Sequence, residues 1–86
     1  RMKMFMVMEN YEKKKEELER AETEMRKAAA EKIGKLITGM PKWTMEGIGK
    51  EVGLSRAAIS KVRARHEDIG IDPVKKILET DFRSEA

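Results

Sequence analysis

Four cationic side chains, Arg56, Lys61, Arg63 and Arg65, stand in a stretch, residues 56–65, that contains no acid. A guanidinium can hold guanine O6 and N7, or a phosphate, through two parallel hydrogen bonds; an ammonium meets phosphate as a compact point charge. The chemistry open to this stretch is recognition of a polyanion rather than bond making. Little elsewhere competes with it. There is no cysteine, which excludes disulfides, thiolate metal sites and a thiol nucleophile and fits a reducing cytoplasm. The single histidine, His66, lies among Arg65, Glu67 and Asp68. A solvated helical imidazole explains it better than a metal ligand, since a metal needs about three or four convergent donors. No phosphate-binding glycine loop and no isolated carboxylate pair in an apolar setting occurs. The expectation is a chain that is not an enzyme and has no metal, cofactor or small-molecule ligand.

The net charge of +3 on 86 residues hides a strong partition. Residues 9–32 hold seven basic and eight acidic side chains, and residues 66–86 hold three basic against six acidic. The positive excess is therefore concentrated in residues 56–65, an electrostatic footprint suited to phosphate. No apolar run approaches the roughly 20 residues of a membrane span, so no membrane partner is expected. Met4 to Met8 is too short for a signal-peptide core, and no small-residue cleavage site follows it. Arg1, ahead of the first methionine, reads as a cloning remnant.

The elements that must position the cations begin with a long helix. EKKKEELERAETEMRKAAAEK consists almost wholly of good helix formers and has no proline, which predicts a helix from about Glu9 to Ile37. Glu9/Lys13, Glu16/Arg20, Glu22/Arg26 and Glu31/Lys35 are pairs in the favourable order, each contributing about 0.2–0.5 kcal/mol. Tyr11, Leu18 and Met25 recur at seven-residue spacing, with Ala21 and Ala28 between them and Lys14 at one seam position. That is the seam of a short coiled coil or of a helix lying on a partner. Past Ala29 the seam shifts to Ile33, Leu36 and Ile37, where the helix should join a globular core. Residues 2–8, with Met4, Phe5, Met6 and Met8, have neither clean alternation nor helical spacing; strand, helix and loose packing all remain open. The expected division is an N-terminal dimerisation segment, 1–32, and a globular domain, 33–86, that carries the cationic stretch.

Gly39 and Pro41 should end the long helix, Gly39 as a left-handed cap. Trp43 reads as a core plug. Thr44 is a good N-cap for a helix over Met45–Val52 with Met45, Ile48 and Val52 inward. Gly47 and Gly49 each cost that helix about 1 kcal/mol relative to alanine, so Gly49 is expected where another backbone comes close. Gly53 supplies a sharp turn, Leu54 plugs the angle and Ser55 caps a second helix from Arg56 to about Asp68. Its inward residues are Ala58, Ile59 and Val62. Gly70 should end it, and Asp72-Pro73 should open a last helix with Val74, Ile77 and Leu78 as its apolar stripe. Phe82 should then close the core, and Arg83 to Ala86 should fray. The fold expected is all-α, a long N-terminal helix followed by a compact three- to four-helix domain.

Ile48-Gly49, Gly53-Leu54-Ser55, Ile59-Ser60 and Val62 together resemble the prokaryotic helix-turn-helix regulator family, over about twenty residues. The family places a small residue on the first helix, a glycine at the turn and an apolar residue four past the serine. The resemblance implies that the second helix enters the DNA major groove, its N-terminal part nearest the bases. Ser55, Arg56, Ala57, Ser60 and Lys61 are then the base-facing candidates, and Arg63 and Arg65 phosphate contacts. Thr44, Lys42 and Lys50 would reach the backbone from the preceding helix. One such unit reads about half a site, which implies a homodimer on an inverted repeat, built through Met4, Phe5, Met6, Met8, Tyr11, Leu18 and Met25. The expected role is a double-stranded-DNA-binding repressor, cytoplasmic and nucleoid-associated. A DNA-organising or assembly factor and a protein-interaction module are the alternatives.

Overall fold

The computed structural model describes residues 2–83, and over these it is all-helical. Arg1, read above as a cloning remnant, and residues 84–86, expected to fray, lie outside the described residues. Helix α1 runs Met2–Thr38, α2 Met45–Val52, α3 Arg56–Arg63 and α4 Ile71–Glu79. The 37 residues of α1 span about 55 Å at 1.5 Å each, and they set the long axis of a molecule measuring 63 × 20 × 18 Å. The short helices gather on its C-terminal half.

The three possibilities for residues 2–8 resolve into one: they are the first turns of α1. Every residue from 3 to 21 is exposed. Met4 is 70% and Leu18 59% accessible, with Phe5, Met6, Val7, Met8 and Tyr11 between those values. Among the described residues none of the four helix pairs proposed along α1 closes into an ion pair. Nor is any described helix long and apolar enough to cross a membrane.

Packing begins at Met25, half-buried against the core of its own chain. Ala29 and Ile33 are fully buried, together with Ile48, Ile59 and Ile77, and Val52, Val62 and Val74 complete the cluster. Small alanines on α1 let α3 and α4 approach its axis, while β-branched residues from the short helices fill the space between. Trp43 plugs one end as expected, its ring edge-on to Phe82 at 5.4 Å and 86°.

Two long cationic side chains of α1 also hold the bundle, and neither was anticipated. Lys32 Nζ donates to the carbonyls of Ile77 at 2.7 Å, Leu78 at 3.1 Å and Thr80 at 2.6 Å, and lies 5.2 Å from the centre of the Phe82 ring. These carbonyls close α4, where a helix lacks internal donors and carries partial negative charge. Arg26, expected to pair with Glu22, instead donates to the carbonyls of Ile69 and His66 between α3 and α4.

Three boundaries differ from expectation. Gly39 is not a left-handed cap; among the described residues only Gly53 and Arg65 have positive φ. Gly39 is needed for proximity, because a Cβ there would sit 2.8 Å from the Lys35 carbonyl oxygen. Helix α3 stops at Arg63 and does not continue to Asp68. Gly70, expected to end it, is the N-cap of α4, and Asp72 lies inside the first turn, where its charge favours the helix dipole.

Helix α2 and the turn after it match expectation closely. The Thr44 hydroxyl accepts from Gly47 N at 2.9 Å, and Ser55 Oγ accepts from Ala58 N at 3.1 Å. Gly53 is left-handed, with φ 75°, and Leu54 N donates back to the Gly49 carbonyl at 2.8 Å. The chain thereby folds back on Gly49, whose missing Cβ would collide with the Leu54 carbonyl oxygen and touch Ile59 of α3. Gly49→Ala is therefore expected to lower the unfolding free energy by about 1–3 kcal/mol. Urea denaturation would register it, and an unchanged midpoint would mean the turn gives way without cost.

Candidate nucleic-acid interface

Helix α3 has eight residues, and its amphipathicity sorts the candidates. At about 100° per residue, Arg63, Arg56, Ser60, Ala64, Ala57 and Lys61 fall within an arc of about 160°. All six are exposed. Ile59 and Val62 on the opposite side are buried and Ala58 is half-buried. Arg56, Ala57, Ser60, Lys61 and Arg63 are therefore brought onto one convex face whose centre, Ser60 and Ala64, is small. Such a face presents cations at its edges and short side chains in its middle.

The other candidates lie elsewhere. Ser55 is exposed at the N-terminus of α3, its hydroxyl already accepting from Ala58 N. Thr44 likewise caps α2. Lys50 is exposed on α2, and Lys42 in the segment that leads into it.

Arg65 lies past the end of the helix in the left-handed region, φ 59°. His66 N donates to the Lys61 carbonyl at 2.9 Å and Arg65 N to that of Val62 at 3.0 Å. This pair of bonds is the Schellman closure, which glycine usually makes. Helix α2 ends with the same backward bond, from Leu54 to Gly49, and has Gly53 at the left-handed position; α3 has an arginine there.

Lys61 is only partly free. Its Nζ lies 3.1 Å from Asp68 Oδ2, and His66 Nδ1 lies 3.6 Å from Asp68 Oδ1, all three side chains about half exposed. The hydrogen bond from Lys61 is the main reason the Asp68 carboxyl lies below its ordinary range, with the charges of Lys61 and His66 acting the same way. Since the folded state has the lower pKa, the pair's stabilisation is present above the usual carboxylate range and is lost as pH falls through the depressed value. Exposure keeps that contribution small. The stretch 56–65 is acid-free as read, but Asp68, outside it and seven residues after Lys61, is brought back alongside by the tight turn at Arg65.

Among the described residues no cluster of His, Asp and Glu is arranged to hold a metal ion. His66 is exposed beside Asp68. No family model, curated protein or solved structure matches the chain.

A β-carbon in the left-handed region costs about 1–2 kcal/mol. Arg65→Gly is therefore expected to raise the unfolding free energy by about 1 kcal/mol, seen as a higher urea midpoint at unchanged slope. A fall in the midpoint would mean that the arginine side chain stabilises the fold by more than its backbone strain costs.

Proposed function

We propose that the chain is a sequence-specific double-stranded-DNA-binding protein of helix-turn-helix type, with α3 as the helix that enters the major groove. The observation that carries the reading is the exposed arc of α3, cationic at its edges and small at its centre, on a helix held rigidly by the turn at Gly53. Arg56, near the N-terminus of α3, is the residue assigned to base reading. Ala57 suits a thymine methyl, Ser60 and Lys61 a base or a phosphate, and Arg63 a phosphate. Arg65, Lys42, Lys50 and Thr44 extend the contact to the backbone on either side.

The reading includes a homodimer formed through the free part of α1, since one such unit reads only half a site. Occupation of a promoter, and hence repression, is the simplest consequence, in the cytoplasm and on the nucleoid. No catalytic step, cofactor or small-molecule ligand belongs to it. The bare apolar tip at residues 4–8 favours a second reading, a factor that assembles into higher oligomers along DNA. Footprinting separates the two: one short protected palindrome supports the regulator, and protection that spreads with concentration supports assembly.

Selection of bound sequences from random DNA, followed by gel shifts across a salt series, tests the reading. A consensus should emerge, and log affinity should fall linearly with log salt. Salt-insensitive or absent binding would overturn it in favour of a protein partner. Arg56→Ala should cost about 1–3 kcal/mol on the consensus and relax preference at one base pair per half-site. Equal losses on every sequence would reduce Arg56 to a phosphate contact. Asp68→Asn releases Lys61 and should tighten binding while steepening the salt slope by about one per protomer at most; no change in either would remove Lys61 from the interface.

A further inference from the structure

The free part of α1 is a helix with an unpartnered seam. Met4, Tyr11, Leu18 and Met25 repeat every seven residues, with Val7, Lys14, Ala21 and Ala28 at the alternate seam positions. From Met4 to Ala21 all of these are exposed, whereas Met25 already packs on its own core. The length available to a partner therefore ends just past Ala21.

Charge decides how a second copy would lie on it. Two copies parallel and in register would set Lys14 directly against Lys14 in the middle of the seam. The flanking Glu17 would meet Glu22 of the second copy, a further like pair. An antiparallel arrangement that places Met4 beside Ala21, Val7 beside Leu18 and Tyr11 beside Lys14 removes the glutamate pair and moves the two lysines out of the same layer, to about 4.5 Å apart along the axis at 1.5 Å per residue. Each Lys14 then lies against a tyrosine ring, a favourable site for an ammonium, and each Lys3 flanks Glu24 of the second copy. Sliding the copies one heptad further would oppose Glu17 to Glu17 and Lys15 to Lys15. It would also drive the overlap into Met25 and Ala29, which the bundle already occupies. Sliding back one heptad would leave Leu18 uncovered. Of the antiparallel registers without opposed flanking like charges, this is the one that uses the whole free length.

We propose that α1 self-associates as an antiparallel pair in this register, with the two helical bundles at opposite ends of the rod. The inference rests on the dimer in the proposed function and adds its orientation. Phe5 and Met6 lie on the far side of the helix from this seam and take no part in it.

The absence of cysteine makes the test direct. Met4→Cys, Ala21→Cys and the double variant alter only exposed positions, so all three should fold. In the antiparallel pair the two Met4 positions lie about 26 Å apart along the rod, at 1.5 Å per residue, far beyond disulfide reach. On mild oxidation of the full chain the double variant should give disulfide-linked dimers, and each single variant should give few. Ready cross-linking of Met4→Cys alone would overturn the antiparallel orientation and leave the dimer standing. A double variant that cross-links no more than the singles, with the unmodified chain sedimenting as a monomer at all concentrations, would overturn the orientation and the dimer together. The assignment of α3 as the DNA-contacting helix is tested separately, by the salt series, and stands or falls independently of either result, although loss of the dimer would weaken binding to an inverted repeat.

Discussion

The geometry of the candidate interface depends on one close approach: the Leu54 carbonyl lying over the bare Cα of Gly49. Because no side chain stands between them, the chain can leave α2, turn at Gly53 and start α3 within three residues. Leu54 N donates back to the Gly49 carbonyl, so the same residue both admits the turn and is bonded to it. With α3 fixed against α2, the seating of Ile59 and Val62 in the core determines which residues remain outside. Arg56, Ser60, Lys61 and Arg63 are outward because Ile48, Val52, Ile59 and Val62 are inward. The placement of the cations is a consequence of packing, and nothing in the cations themselves produces it.

The second constraint is electrostatic and comes from α1. A solvated helix with nearly balanced charge would ordinarily direct its lysines and arginines to water. Here Lys32 and Arg26 reach across to carbonyl groups on α4 and on the connection before it. Hydrogen bonds from charged donors are worth about 1.5–3 kcal/mol, more than neutral ones, and these two are partly sheltered from water. They tie the ends of α4 to a helix that the apolar cluster already holds in the middle. Arg26 donates to the carbonyls of His66 and Ile69 just past the point where the chain turns away from the helix axis at Arg65, and so helps hold the turned segment in place.

Elements whose signals are local were legible in the sequence. Thr44 and Ser55 each precede an apolar pattern of helical period, and both cap the helices they announced. Gly53 lies where only a left-handed residue suits the turn, and Gly49 where an unfavourable helix former is kept for proximity. What was not legible depends on partners distant in the chain. No residue type near Arg65 announces a helix end, because the left-handed position of the closing turn holds an arginine where glycine usually stands, and the segment after it is held by Arg26, some forty residues earlier. Asp68 read as part of an acidic tail until the turn brought it beside Lys61. Gly39 looked like a cap because glycine after a helix usually is one, yet its use is to let the backbone close on Lys35. Of the candidate interface, the α3 residues were named correctly as an outward set, while the partial neutralisation of Lys61 and the displacement of Arg65 from the helix needed the fold.

Helices α2, α3 and α4 have eight, eight and nine residues, shorter than the roughly 12–15 an isolated helix needs even for marginal stability in water. None of them would persist without docking on α1 and on one another. Helix α1 is different in kind: its C-terminal half is the platform for the bundle, and its N-terminal half exposes seven large apolar or aromatic side chains to solvent, from Met4 to Leu18. Apolar surface of that extent on one element is uncommon unless something covers it. If a second copy covers the seam side of it, as proposed, leaving Phe5 and Met6 outside, the burial stabilises α1, because helix propagation is cooperative. The gain is passed through Ala29, Ile33, Lys32 and Arg26 to the short helices. Order in α3, and so the rigidity of the cationic face, would then rise with self-association, linking the two ends of the chain through helix cooperativity alone, with no conformational switch between them.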